Sequence, residues 1–186
     1  MRIISGIYKG RQIKAPGHIR PTQDIARKAL FDILGDMQDM LFLDLFAGSG
    51  AIGLESLSRG AKEAVFVEKD NQCIKMLQQN VQGLCKGGSP SLPCSASVIH
   101  KDVFQALPEF FKKGRKFDIV FLDPPYYQEM AKKTLQMLGA YDILSHYGFI
   151  VAQHFKKDIL PEQVDNFSIS RQSGYGDTLL SFYART

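Results

Sequence analysis

The sequence predicts an α/β fold built on a mostly parallel sheet, and three observations carry that reading. Apolar runs at 41–46, 64–67 and 119–122 lack polar alternation, the pattern of strands buried on both faces. Stretches with helical spacing alternate with those runs. A terminal pair of strands, 167–171 and 178–183 around Gly174-Tyr175-Gly176-Asp177, reads as an antiparallel hairpin at the sheet edge.

The chain is 186 residues long and 45% hydrophobic, enough for one well-buried domain with a small appendage. No apolar run approaches the ~18 residues that would span a membrane. The start, Met1-Arg2-Ile3-Ile4-Ser5-Gly6, has no signal-peptide core, so a cytoplasmic protein is expected. Cys73, Cys85 and Cys94 are odd in number and lack metal-ligand spacing, which reads as free thiols in a reducing compartment. His18, His100, His146 and His154 also lack ligand spacing, and no metal is expected. The net charge of +4 is uneven: residues 1–28 hold seven basic residues against Asp24 alone. A basic front end on a mildly acidic body suits a polyanionic partner such as nucleic acid, or else a solvated basic surface.

Taken in order, residues 3–15 suggest a hairpin turning at Tyr8-Lys9-Gly10-Arg11, which needs a docking surface because an isolated hairpin is marginal in water. Ala15-Pro16-Gly17 breaks the pattern. Ile25, Ala26, Ala29, Leu30, Ile33 and Leu34 then predict an amphipathic helix, with Thr22 as N-cap, Asp24 in its first turn and Gly35 as its stop. Arg20 and Arg27 could converge on one anion. A strand at 41–46 leads through a glycine turn to a helix at 54–59. A strand at 64–67 ends at Glu68, and a helix follows over 70–82 with Ile74, Leu77 and Val81 on one side. Residues 83–94 read as a long solvated connector. Beyond it come a strand at 96–100, a helix at 104–112, the strand at 119–122, a helix at 128–138 and a strand at 148–152. The expected organisation is a basic hairpin-and-helix extension over 1–38 and a catalytic domain over 39–186.

Gly48-Ser49-Gly50-Ala51-Ile52-Gly53 matches GxGxxG between a strand and a helix, the pattern that cradles a dinucleotide. Asp44, inside the preceding strand, would repel a pyrophosphate there. It would favour a cationic ligand instead, and S-adenosylmethionine carries a sulfonium and an ammonium. Glu68 can accept both ribose hydroxyls of either ligand. Asp102 can accept from an adenine amine, or else cap a helix.

The stretch 117–126, Phe-Asp-Ile-Val-Phe-Leu-Asp-Pro-Pro-Tyr, runs from a buried strand into two prolines that no strand can continue through. Asp123 and Tyr126 are thereby held beyond the carboxyl edge of the sheet, where open α/β folds bind ligands. An aromatic amine is a poor nucleophile because its lone pair is delocalised. Asp123 and the Pro124 carbonyl can each accept one amine hydrogen and aim the lone pair at a methyl group. Neither Pro124 nor Pro125 offers a competing N–H, and Tyr126 can stack on a planar substrate.

Asp44-Leu45-Phe46-Ala47-Gly48-Ser49-Gly50 together with Asp123-Pro124-Pro125-Tyr126 resembles the S-adenosylmethionine-dependent amino-methyltransferases. Ile3-Ile4-Ser5-Gly6, Lys9-Gly10-Arg11 and Arg20-Pro21-Thr22 through Leu30-Phe31 narrow the resemblance to the RsmD type of bacterial 16S ribosomal RNA guanine-N2 methyltransferase, over essentially the whole chain. The resemblance implies a Rossmann-like sheet of seven strands and S-adenosylmethionine as cofactor. It implies cofactor contacts from Asp44, Phe46, Ala47, Gly48, Ser49, Gly50, Glu68, Lys69, Asp102, Val103 and Asp123. The catalytic set is Asp123, Pro124, Pro125 and Tyr126, and Lys9, Arg11, Lys14, Arg20, Thr22, Arg27 and Lys28 are the expected RNA contacts. The implied partner is 16S ribosomal RNA in the small subunit or an assembly intermediate, met by a monomer. The alternative acceptor is adenine N6 in DNA or RNA.

Overall fold

The computed structural model describes residues 1–15, 24–86, 95–125 and 129–186. Its elements are α1 (Asp24–Leu34), β1 (Leu41–Leu45), α2 (Ala51–Ser58), β2 (Glu63–Glu68), α3 (Asn71–Lys86), β3 (Ala96–His100), α4 (Val103–Lys112), β4 (Phe117–Leu122), α5 (Met130–Ala140), β5 (Leu144–Phe155), β6 (Gln163–Val164), β7 (Phe167–Tyr175) and β8 (Thr178–Arg185). The strands form one sheet in the order β3-β2-β1-β4-β5-β8-β7-β6. The first five are parallel and the last three antiparallel, as the apolar runs and terminal hairpin predict. Described residues show eight strands, not seven. The extra one, β6, has two residues and no apolar run that could announce it.

Strand order reverses between β1 and β4, so the helices that leave these neighbours pass to opposite faces and open a crevice at their carboxyl ends. The register Leu45↔Leu122 brings the residues that follow, Phe46 and Asp123, to that crevice. One core layer packs α1, α2 and α3 on the sheet, and the other packs α4 and α5.

β5 is longer than the run at 148–152 suggests, because exposed His146 and Tyr147 interrupt its apolar pattern. α3 continues to Lys86, so the connector expected at 83–94 begins as helix, and 87–94 lies outside the described residues. Cysteine chemistry also departs from expectation. Cys73 is free and buried, but Cys85, in the last turn of α3, is disulfide-bonded, a proximity that spacing in the sequence does not reveal.

The N-terminal hairpin is reduced to a single bridge, Arg2↔Gln12, and its docking surface is α2. Glu55 is fully buried, and its carboxylate accepts from the amides of Ile4 (2.8 Å) and Ser5 (3.0 Å) and from Arg59 Nε (2.9 Å). The carbonyl and hydroxyl oxygens of Ser58 accept from the amides of Ile7 (2.8 Å) and Tyr8 (3.0 Å). The approach is so close that a Cβ on Gly6, at φ +81°, would lie 1.7 Å from the Ser58 oxygen. Only glycine fits there. Ile3, Tyr8 and Ile13 complete the attachment by entering the same core as Leu54 and Leu57.

Candidate active site at the carboxyl edge of the sheet

The crevice at the β1/β4 reversal is a cavity of about 470 Å³. It gathers residues from both motifs: Asp44, Phe46, Ala47, Gly48, Ser49, Glu68, Lys69 and Val103 on one side, Asp123, Pro124 and Pro125 on the other. Of the expected cofactor residues, Gly50 and Asp102 do not line it. Gly50 serves the turn itself: its φ of +81° starts α2, and a Cβ would meet Leu77 at 2.3 Å. Asp102 is the N-cap of α4, accepting from the Phe104 amide at 2.9 Å, and its other oxygen pairs with Lys69 Nζ at 3.2 Å. The capping alternative thus describes Asp102, and Val103 and Lys101 form the wall beside it. Tyr126 lies outside the described residues.

Asp44 is buried on β1, and its Oδ2 accepts from the Gly53 amide at 3.0 Å, tying the strand to the first turn of α2. Burial pushes its carboxyl up to about 8, and nearby Asp123 and Glu68 push the same way against the Gly53 hydrogen bond. Asp123 shows one edge to the cavity and is otherwise enclosed. Burial pushes it up to about 7, opposed by the hydrogen bond from Gln153 Nε2 at 2.8 Å. Two carboxylates thus face one cavity, each held back from ionising by desolvation. A positive ligand would relieve both. Glu68 is oriented by three backbone amides: Gly48 donates to its Oε2 at 2.8 Å, while Lys69 (2.7 Å) and Asp70 (2.8 Å) donate to Oε1.

Several contributors carry no recognisable motif. Met1 and Ala26 wall the cavity, and Met1 Sδ lies 3.5 Å from Arg27 Nη1. Asn80 donates from Nδ2 to the carbonyls of Ser49 (2.9 Å) and Lys14 (2.8 Å), and its Oδ1 accepts from the Lys14 amide (2.9 Å). It therefore fastens the glycine turn to the N-terminal segment. Cys73 also lines the cavity, its thiol pushed up to about 12 by burial.

The basic extension divides into structural and surface residues. Arg27 is fully buried: Nη2 donates to the Arg2 carbonyl at 2.7 Å and to Asp24 Oδ1 at 2.8 Å, and burial lowers its pKa. That correction removes Arg27 from the expected RNA contacts, because its helix turns it inward onto the docked N-terminus. Arg11 spends Nη1 on the carbonyls of Gly83 (2.9 Å) and Leu84 (3.0 Å) and lies over the Tyr8 ring. Lys9, Lys14 and Lys28 are exposed, and Arg20 and Thr22 lie outside the described residues. Lys9 and Lys28 share a shallow cleft with Arg2, a residue that charge counting alone does not distinguish from its neighbours.

An ionised Asp44 repels a dinucleotide's pyrophosphate where the glycine turn would hold it, and attracts a cation. On this sheet, that charge pattern defines a Rossmann-like methyltransferase, and the residues present fit S-adenosylmethionine. Residues 1–184 match the family model described as Conserved hypothetical protein 95, and the chain belongs to that family, the RsmD type. YlbH of Bacillus subtilis (strain 168), provisionally described as an rRNA methyltransferase, is 37% identical over 100% of this chain and 99% of its own. Ribosomal RNA small subunit methyltransferase D of Escherichia coli (strain K12) is 32% identical over 100% of this chain and 90% of its own. The solved structure of yhhF from Escherichia coli, provisionally described as a methyltransferase, matches with a TM-score of 0.83 at 33% identity, covering 100% of this chain and 97% of that one.

Burial of Asp44 makes the stability of the cofactor-free protein depend on pH. A carboxyl raised on folding leaves stability intact while it is protonated, and that stability is lost as pH rises from the ordinary carboxylate range through about 8. Asp44→Asn keeps the acceptor for the Gly53 amide and removes the charge. Without cofactor the variant's melting temperature should exceed that of wild type by more at pH 9 than at pH 5. Its affinity for S-adenosylmethionine at pH 8.5 should fall about 10- to 100-fold, ~1.4 to 3 kcal/mol. Thermal melts and equilibrium binding check both, and a variant that melts lower at pH 9 contradicts the charge argument.

Proposed function

We propose that this chain transfers a methyl group from S-adenosylmethionine to the exocyclic N2 amine of a guanine in small-subunit ribosomal RNA. The observation that carries the reading is the convergence of Asp44 and Asp123 on one cavity at the strand-order reversal. The names of the relatives support ribosomal RNA as the acceptor.

S-adenosylmethionine, when bound, supplies an electrophilic methyl group on a sulfonium. Asp44 neutralises the positive end of the cofactor, and Glu68, locked by its three amides, presents a fixed carboxylate to the ribose hydroxyls. Asp123 and the Pro124 carbonyl accept the two amine hydrogens of the target base and direct its lone pair along the transfer axis. Orientation supplies most of the acceleration, since well-placed reactants gain up to ~7 to 11 kcal/mol over free encounter. After transfer the nitrogen holds one proton too many, and Asp123, with its carboxyl near 7, is suited to take it. A base within structured RNA must first be rotated out of its stack.

Delivery of RNA falls to the cleft of Arg2, Lys9 and Lys28 and to exposed Lys14, rather than to Arg11 and Arg27. Removing one cation that neutralises a phosphate should lower the salt dependence of binding by about one in the log–log slope. Lys9→Ala with Lys28→Ala should therefore flatten the slope measurably. An unchanged slope would place the RNA elsewhere.

Incubation with unmethylated small subunits, followed by nucleoside analysis, should yield N2-methylguanosine. Recovery of N6-methyladenosine would transfer the assignment to the adenine alternative. Asp123→Ala should lower kcat by about 10²- to 10³-fold, and near-normal turnover would remove Asp123 from its role.

A further inference from the structure

Gln153 stands one residue past Ala152 on β5, and Asp123 one residue past Leu122 on β4. Ala152 and Leu122 are register partners, so the two side chains leave the sheet edge side by side. The amide is only 4% exposed, yet it lines the cavity. Its Nε2 donates to Asp123 Oδ2 at 2.8 Å. While Asp123 is ionised it can only accept, and that bond then sets the amide: nitrogen towards Asp123, Oε1 away from it.

Neither Gln153 Oε1 nor Asp123 Oδ1 has a hydrogen-bond donor among the described residues. Neither belongs to the sealed, unpartnered atoms, of which Arg27 Nε alone is found among the described residues. Both oxygens therefore open onto the cavity, as two neighbouring acceptors.

We propose that Gln153 is a specificity-determining residue, whose Oε1 joins Asp123 Oδ1 in accepting from the N1–H and N2–H donors of guanine. The inference rests on the guanine-N2 reading above and adds how the base is chosen. Guanine presents two adjacent donors on this edge. Adenine presents its amine beside an N1 lone pair, which would face Oε1 acceptor to acceptor. A site that must leave a polar group unpaired rejects the wrong partner far better than an apolar wall does. The same amide positions Asp123, so one side chain orients the acceptor and reads the ring beside it.

The test uses the full chain and small-subunit particles that carry either guanine or 2-aminopurine at the methylated position, located by mapping the product RNA. 2-Aminopurine keeps the 2-amino group but has an N1 acceptor. Wild type should prefer guanine by about 10- to 100-fold in kcat/KM. Gln153→Leu should bring that ratio to within about threefold of unity while retaining affinity for S-adenosylmethionine. Its acidic limb should also move to higher pH, because the N–H that stabilises the Asp123 carboxylate is gone. Gln153→Glu keeps an acceptor and loses the N–H, so it should preserve the base ratio while shifting the limb. Gln153→Met carries the same expectation as Gln153→Leu if the leucine variant does not fold. Equal use of the two bases by wild type, or an unchanged ratio in a Gln153→Leu or Gln153→Met protein that binds cofactor, overturns the assignment. A product other than N2-methylguanosine defeats the underlying reading as well. N2-methylguanosine with an unchanged ratio defeats Gln153 alone.

Discussion

Two carboxylates share the cavity at the strand-order reversal, and the fold holds them there against their own solvation. Asp44 is buried in β1 with one amide donor, from Gly53, and Asp123 ends β4 with one, from Gln153. Desolvation raises both, and the charge of Asp123 makes Asp44 harder still to ionise. Such a pair is poorly served by an empty fold and well served by a cation. The rest of the site supports this arrangement: the glycine turn stays close enough for Gly53 to reach Asp44, and the prolines end β4 where Asp123 must stop.

The N-terminal segment is built into that site. Glu55 and Ser58 on α2 bind its backbone, Asn80 ties Lys14 to Ser49, and Met1 reaches the cavity wall. The bonds that seat the basic surface are therefore continuous with those that shape the glycine turn. This explains why Arg27 is buried. Its guanidinium holds the Arg2 carbonyl, while the side chains of Arg2, Lys9 and Lys28 stay exposed around one cleft. Charge counting in the sequence finds the basic extension but cannot tell which of its charges are structural.

The parallel sheet and most of the cavity are legible in the sequence because the central strands β1, β2 and β4 carry apolar runs that a distinctive acid breaks or ends. Asp44, Glu68, Asp123 and the glycine turn all lie where those runs end or break. The contributors without a motif share a different signal, a polar residue in an apolar pattern. Asn80 occupies the buried side of α3 beside Leu77 and Leu84, Glu55 sits in an otherwise apolar or small-residue helix, and Gln153 interrupts the run from Ile150 to Ala152. Each is buried and hydrogen-bonded across a long sequence separation, so its partner is not local. β6 and the disulfide at Cys85 have no sequence signal because both depend on chain proximity alone. Asp102 shows the opposite difficulty, an acid at a strand end that serves first as a helix cap.

The charge of the cofactor favours ionisation of Asp44 and Asp123, which burial holds back. Calorimetric titration near pH 7, repeated in buffers of different ionisation enthalpy, counts the protons released on binding. S-adenosylmethionine and S-adenosylhomocysteine share an amino group and differ at the sulfonium, so their difference isolates the response of Asp44 and Asp123. With carboxyls near 8 and 7, S-adenosylmethionine should release more protons than S-adenosylhomocysteine at pH 7, and the excess should vanish by pH 9. Equal release by the two ligands at pH 7 would contradict the account.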